Sequence, residues 1–202
     1  MRSLISSLGL GLALMGLPAA PVWAQSAPAI AVAGVDFPTT AAVGSQALIL
    51  NGAGVSSILS SRATVVGLYL SNKTAQVDAA LSMAGAKRLQ VVALRTLSAR
   101  DLSNALLDRI RSNAAPGEVE ANVLQIAAVG GVFGTRKSLS KGDVLHIDYL
   151  PALKATEFRI NGERVAEPIA GEKFYPLMMK VWVGPKVRAS TRDALMGGAP
   201  SE

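Results

Sequence analysis

Leu50 to Leu70 reads LNGAGVSSILSSRATVVGLYL: an apolar run broken by a Gly-Ala-Gly step, then a second run opened by Arg-Ala-Thr. Thr64 to Leu70 is rich in β-branched and apolar residues, which predicts a strand closed by Asn72-Lys73. Gln46 to Leu50 predicts another strand that stops at Asn51-Gly52. LNGAG then reads as the turn of a hairpin-like pair, with its glycines present for backbone geometry and close approach. Arg62 and Thr64 are two apart and share one face if the strand extends through both.

Upstream, Val43-Gly44-Ser45 reads as a turn, and Gln25 to Gly34 as a flexible lead-in. Residues 1–24 read as an export address: Arg2 gives a positive start, Leu4 to Leu17 an apolar run, and Val22-Trp23-Ala24 a small-residue cleavage site. The run falls short of the roughly 20 residues that a bilayer span needs. Cleavage after Ala24, a periplasmic location and no stable membrane insertion afterwards are the expectation; an uncleaved anchor is the alternative. The expected plan is a signal peptide (1–24), the lead-in (25–34), one domain (35–198) and a tail (199–202).

Downstream, Thr74 to Gly85 predicts a short helix and Lys87 to Thr96 a strand. Ser98 with Asp101 forms a capping box for a helix with Leu102, Ala105, Leu106 and Ile110 on one face. Pro116 opens the next helix, striped by Val119, Val123, Ile126 and Ala127 and ended by Gly130-Gly131. Val144 to Leu150 alternates, with Leu145, Ile147 and Tyr149 on one face and His146 and Asp148 on a face read as solvated. Asn161-Gly162 predicts a hairpin. Phe174, Leu177, Met178, Val181 and Trp182 predict a helix that ends at Gly184-Pro185, with a last short helix near Thr191. Strands, helices, strands and helix in that order point to an α+β domain with helices on one face of a mainly antiparallel sheet.

Composition narrows the chemistry. The chain has no cysteine, so an exported form relies on its core, not on disulfides. One histidine and no cysteine do not make the usual zinc site. Gly52-Ala53-Gly54 lacks the third glycine of a dinucleotide fingerprint. Without Arg2 the 20 basic residues become 19 against 14 acidic ones, a net charge of +5, and they are scattered instead of forming a stripe. With nine aromatics in the whole chain, nucleic acid is not an expected partner.

GVDFP (34–38), Val43-Gly44, LNGAG (50–54), GLYL (67–70), LRTLS (94–98), the Lys141-Gly142-Asp143 turn, the Asn161-Gly162 hairpin and Trp182-Val183-Gly184 occur in this order. As an ordered set they resemble the chalcone isomerase-like family over nearly all of the chain after residue 24. The resemblance implies an open-faced β-sandwich: a curved antiparallel sheet, helices over one face and a ligand cleft between the layers. It also implies either cyclisation of a chalcone or, in relatives without that activity, fatty-acid binding or a helper role. Neither branch uses a cofactor or a metal.

Residue by residue, the resemblance carries over in part. Ser56 stands where the enzymes hold substrate with an arginine. Thr64 matches a threonine. A looser alignment puts Ala115 and Asn122 at a tyrosine and an asparagine, and Val181 at a threonine or serine. Cyclisation needs a stabilised phenolate and enolate, and losing one such electrostatic contact costs on the order of 100-fold in rate. Chalcone isomerase activity is therefore not expected. Ser56, Arg62, Thr64 and Asn122 are the candidate ligand-binding residues, with no catalytic residue assigned. Arg62 is the candidate replacement for the missing cation, worth about 1.5–3 kcal/mol if it holds a buried carboxylate. The expected function is non-catalytic binding of an apolar small molecule such as a fatty acid. The alternatives are an isomerase or intramolecular lyase of unknown substrate, and a structural or interaction module with a closed cleft. No protein partner is legible.

Overall fold

The computed structural model describes residues 28–56, 62–134 and 137–200. The expected signal segment and the last two residues lie outside them. In chain order the strands are β1 (Ala29–Val32), β2 (Val35–Pro38), β3 (Thr40–Val43), β4 (Gln46–Ser56), β5 (Thr64–Leu70), β6 (Lys87–Ala93), β7 (Leu97–Ser98), β8 (Ser138–Leu139), β9 (Val144–Leu150), β10 (Ala155–Ile160), β11 (Glu163–Arg164) and β12 (Ile169–Ala170). The helices are α1 (Val77–Ser82), α2 (Ala99–Asn113), α3 (Glu118–Ala121), α4 (Val123–Val132), α5 (Phe174–Val183) and α6 (Ala189–Leu195).

Eight of the described strands form one antiparallel sheet in the order β11-β10-β9-β6-β5-β4-β3, with β12 beside β10. Period-two alternation divides its side chains between two cores. Val66, Leu68 and Leu70 of β5 join Leu89, Val91, Leu145, Ile147, Phe158 and Ile160 against the helices. Leu48, Leu50, Val55, Val65 and Tyr69 face the other way and pack with Val32 and Phe37 of the β1–β2 hairpin. β3 also approaches β9, with three strands between them in the order, so the sheet curls toward this second face. The architecture is the α+β arrangement that the pattern implies, helices on one face of a mainly antiparallel sheet, and the sheet curls into a half-barrel.

Local chemistry explains several boundaries. The Ser98 hydroxyl accepts from the Asp101 N–H at 3.1 Å and caps α2. Asn161 and Gly162 both have positive φ, 51° and 85°, as a two-residue hairpin turn requires. The Asn161 side chain also accepts from the Val144 N–H at 2.9 Å, which pins the turn to β9. α5 buries Tyr175, Met179 and Val183 besides its expected stripe, because it lies between the sheet, α1, α2 and α6.

Four expectations change. LNGAG is not a turn: β4 runs through it to Ser56, and the register shifts between Leu50 and Gly52 because Asn51 forms a bulge. The lead-in is ordered from Ala29, where β1 pairs with β2. The helix after Pro116 is two helices broken at Asn122, and α4 continues through Gly130-Gly131 to Val132. The face of His146 and Asp148 is not freely solvated, because the curled sheet buries Asp148 and half-buries His146.

That covered face carries a polar row across four strands: Tyr69, Arg88, Asp148 and Glu157 are successive cross-strand partners. Next to it, His146 stands between Gln90 and Arg159, with its Nε2 3.2 Å from Gln90 Oε1. Burial first, then the charges of Arg88 and Arg159, lower the His146 pKa from 6.5 to about 4. The folded value lies below the unfolded one. The unfolded chain therefore binds a proton that the folded protein refuses, so stability present above pH 6.5 is lost as pH falls toward 4. Allowing for screening of a partly exposed ring, the loss is about 2–3 kcal/mol. Urea titrations at several pH values should show it in the wild type and not in His146→Gln; parallel acid curves for the two would remove His146 as the cause.

Candidate functional site

The polar residues that β4 and β5 bring together lie at one end of the sheet–helix layer. Ser56 pairs directly with Thr64, and Thr64 with Ala93 of β6. Partners in register share a face, so all three point with Val66 and Val91 toward the helices. Both polar side chains are buried, and Thr64 retains 1 % exposure. Among the described residues its hydroxyl has no hydrogen-bond partner. A buried hydroxyl left without a bond costs about 1–3 kcal/mol.

α6 fixes this end of β4. The Thr191 hydroxyl donates to the carbonyl of Val55, adjacent to Ser56, at 2.9 Å. Farther back, Asn51 donates from Nδ2 to the carbonyls of Leu195 at 2.7 Å and Thr74 at 3.0 Å, and its Oδ1 accepts from the Thr74 N–H at 2.8 Å. The helix side of the same layer holds Trp182, fully buried on α5, whose indole N–H also has no partner among the described residues. With Thr156 Oγ1, on the same face through its pairing with Tyr149, three unpartnered polar atoms among the described residues thus lie within a mostly apolar layer.

The other candidates separate from this pair. Arg62 is exposed and precedes β5, so the alternation that would put it beside Thr64 does not reach it. Asn122 is buried, but its Nδ2 donates to the Glu118 carbonyl at 2.8 Å, one turn back, at the junction of α3 and α4. Ala115 is exposed in the α2–α3 connection, where its N–H donates to Glu118 Oε2 at 2.7 Å. Val181 is buried on α5. Among the described residues no group of three or more His, Asp or Glu side chains could hold a metal.

Sequence reasoning missed Asn51, Thr191 and Asn113. Asn113 is buried at the end of α2, where its Oδ1 accepts from the Lys186 N–H at 2.8 Å and ties α2 to the segment after α5. Each of these bonds joins residues more than 20 positions apart, and neither periodicity nor a local motif carries that information.

The chalcone isomerase-like family profile matches residues 29–197, from the first strand to the end of the last helix. The chain belongs to the chalcone isomerase-like family. A search of curated protein sequences returned no match. Among solved structures, the chain is similar to the crystal structure of a fatty-acid binding protein from Arabidopsis thaliana, with a TM-score of 0.66 and 12 % identity. The similarity covers 84 % of this chain and 96 % of that one. At this identity it establishes the chalcone isomerase-like fold, with Ser56 and Thr64 on the helix-facing side of its sheet.

Proposed function

We propose that this chalcone isomerase-like protein binds an acidic apolar small molecule, with a fatty acid as the best-suited chemistry, between sheet and helices without transforming it. The observation that carries the reading is the buried, unpartnered Thr64 hydroxyl directly beside Ser56. A ligand carboxyl or carbonyl would accept the hydrogen bond that the protein leaves unmade, and the apolar layer behind it suits an acyl chain. The fatty-acid binding protein of the same fold supports the choice of ligand. The absence of turnover rests on Ser56, which supplies no cation, and on Ala115 and Val181, which supply no hydroxyl, to stabilise a moving negative charge. Export with cleavage after Ala24 belongs to the same proposal, and N-terminal sequencing of the secreted chain tests it.

Titration with a fluorescent fatty acid is the direct experiment. Wild type should bind saturably, and Thr64→Val should weaken binding by about 1 kcal/mol, roughly fivefold, the usual worth of one neutral hydrogen bond. The exposure of Arg62 lowers the effect expected of Arg62→Ala to that of a surface ion pair, about 0.2–1 kcal/mol. Absorbance of an added chalcone should decay at the spontaneous rate. A wild type that binds no fatty acid, even after delipidation, would favour a structural module whose own side chains fill the layer.

A further inference from the structure

Lys87, the first residue of β6, lies at the other end of the helix-facing side of the sheet. Ala93, the cross-strand partner of Thr64, is six residues along the same strand, about 20 Å away at strand spacing. Lys87 is only 4 % exposed. Its ammonium lies 5.2 Å from the centroid of the Tyr149 ring, its cross-strand neighbour. Among the described residues no carboxylate pairs with it. The neighbouring Arg88 shows the contrast, because it points to the opposite face and is held by Asp148.

Lys87 lines a pocket of about 460 Å³, within the usual size range for small-molecule sites. Leu81 and Met83 from the end of α1 and the loop after it form one wall, Tyr149 and Pro151 another, and Tyr175 and Pro176 of α5 a third. The rim carries Lys173 and the Lys154–Glu172 ion pair at 3.1 Å, so Glu172 is already engaged. The local charge is therefore positive, and the first turn of α5 adds the positive end of its dipole. The structure thus combines an apolar lining with one deep cation that lacks a counter-ion.

We infer that this pocket is a second binding site, for a small organic carboxylate with an apolar body, whose carboxylate pairs with Lys87 while its body packs against Tyr149, Leu81 and Pro176. Burial of an ammonium without a partner is costly, and a ligand carboxylate removes that cost where the protein supplies none. Desolvation lowers the Lys87 pKa, as expected of an amine without its counter-ion. The aromatic face of Tyr149 compensates for only part of a full ion pair. The site does not depend on fatty-acid binding at Ser56 and Thr64.

Phenylacetate and its neutral isostere phenylacetamide are suitable probes, titrated into the whole protein by calorimetry and mapped by amide NMR shifts. Wild type should bind the acid about tenfold or more tightly than the amide, as a charge-assisted bond implies. Shifts should centre on residues 81–87, 149–151 and 172–176. Lys87→Met keeps the unbranched stem and should abolish the preference for the acid, whereas Thr64→Val should retain it. The wild-type preference and shift map need no variant, so they decide the question even if Lys87→Met does not fold. The inference is overturned if the folded wild type shows no saturable phenylacetate binding, if acid and amide bind alike, if folded Lys87→Met keeps the preference, or if the shifts centre on Ser56 and Thr64. A roughly fivefold weaker fatty-acid affinity in Thr64→Val, with phenylacetate binding unchanged, would separate the two sites.

Discussion

Asp148→Ala is expected to lower the unfolding free energy by roughly 3–5 kcal/mol, the cost of breaking a buried ion pair by removing one partner. Arg88 donates from Nε to Asp148 Oδ1 at 2.7 Å and from its terminal nitrogen to Oδ2 at 2.6 Å, a two-pronged pairing in the middle of the sheet. Burial pushes the Asp148 carboxyl up and the guanidinium pulls it back. With alanine at 148, the guanidinium stays covered by the curled sheet beside Tyr69, whose own hydroxyl is buried without a partner. Water reaches it poorly. The double variant Arg88→Met, Asp148→Leu removes both charges and should be far less destabilised than the single one. Urea unfolding followed by Trp182 fluorescence measures both, since Trp182 is the one tryptophan outside the expected signal segment. If Asp148→Ala unfolds at the same urea concentration as the double variant, the unpaired charge is not what costs stability.

Gly52→Ala should cost about 3 kcal/mol or more. A Cβ at this position would overlap the carbonyl oxygen of Ala194 and come within 2.9 Å of the Leu195 oxygen. Both atoms are backbone of α6 and have no rotamer to change. α6 would have to withdraw, which opposes the hydrogen bonds of Asn51 to Leu195 and of Thr191 to Val55. Overpacking alone costs about 1–3 kcal/mol, and each compromised hydrogen bond adds roughly another. Because Val55 precedes Ser56, the same substitution should also loosen the Ser56–Thr64 end and weaken fatty-acid binding. Gly130→Ala is the control: nothing lies within 4 Å of its added methyl on α4, so it should be neutral or slightly stabilising. A Gly52→Ala protein as stable as wild type would mean that α6 does not pack against the bulge as described.

Some of this was legible in the residues. Strand β5, the capped α2, the Asn161-Gly162 hairpin and the α5 stripe are each set by local periodicity or by turn and cap chemistry within a few positions. The ordered motifs were enough for family and fold. Ser56 and Thr64 entered as candidates only through the family resemblance, residue by residue. Reading LNGAG as a turn failed for a specific reason. Asn-Gly between apolar runs is a turn signal, but here Asn51 is a bulge whose side chain is needed by Thr74 and Leu195. Arg62 was given strand alternation although it lies two residues before the strand begins.

The sequence alone therefore determined the element order, the apolar faces of strands and helices, and the absence of cysteine chemistry, because these depend on side chains within one turn or one strand. Tertiary structure decided which polar groups are buried and which are left without partners. Asp148 and His146 alternate like solvated residues, yet the curl of the sheet buries the first and half-buries the second. Lys87 and Arg88 are adjacent in sequence, yet they point to opposite faces: one meets a carboxylate and the other an open pocket. The physical reason is that burial and charge pairing depend on which distant surfaces meet, and a strand's own alternation is the same whichever surface covers it.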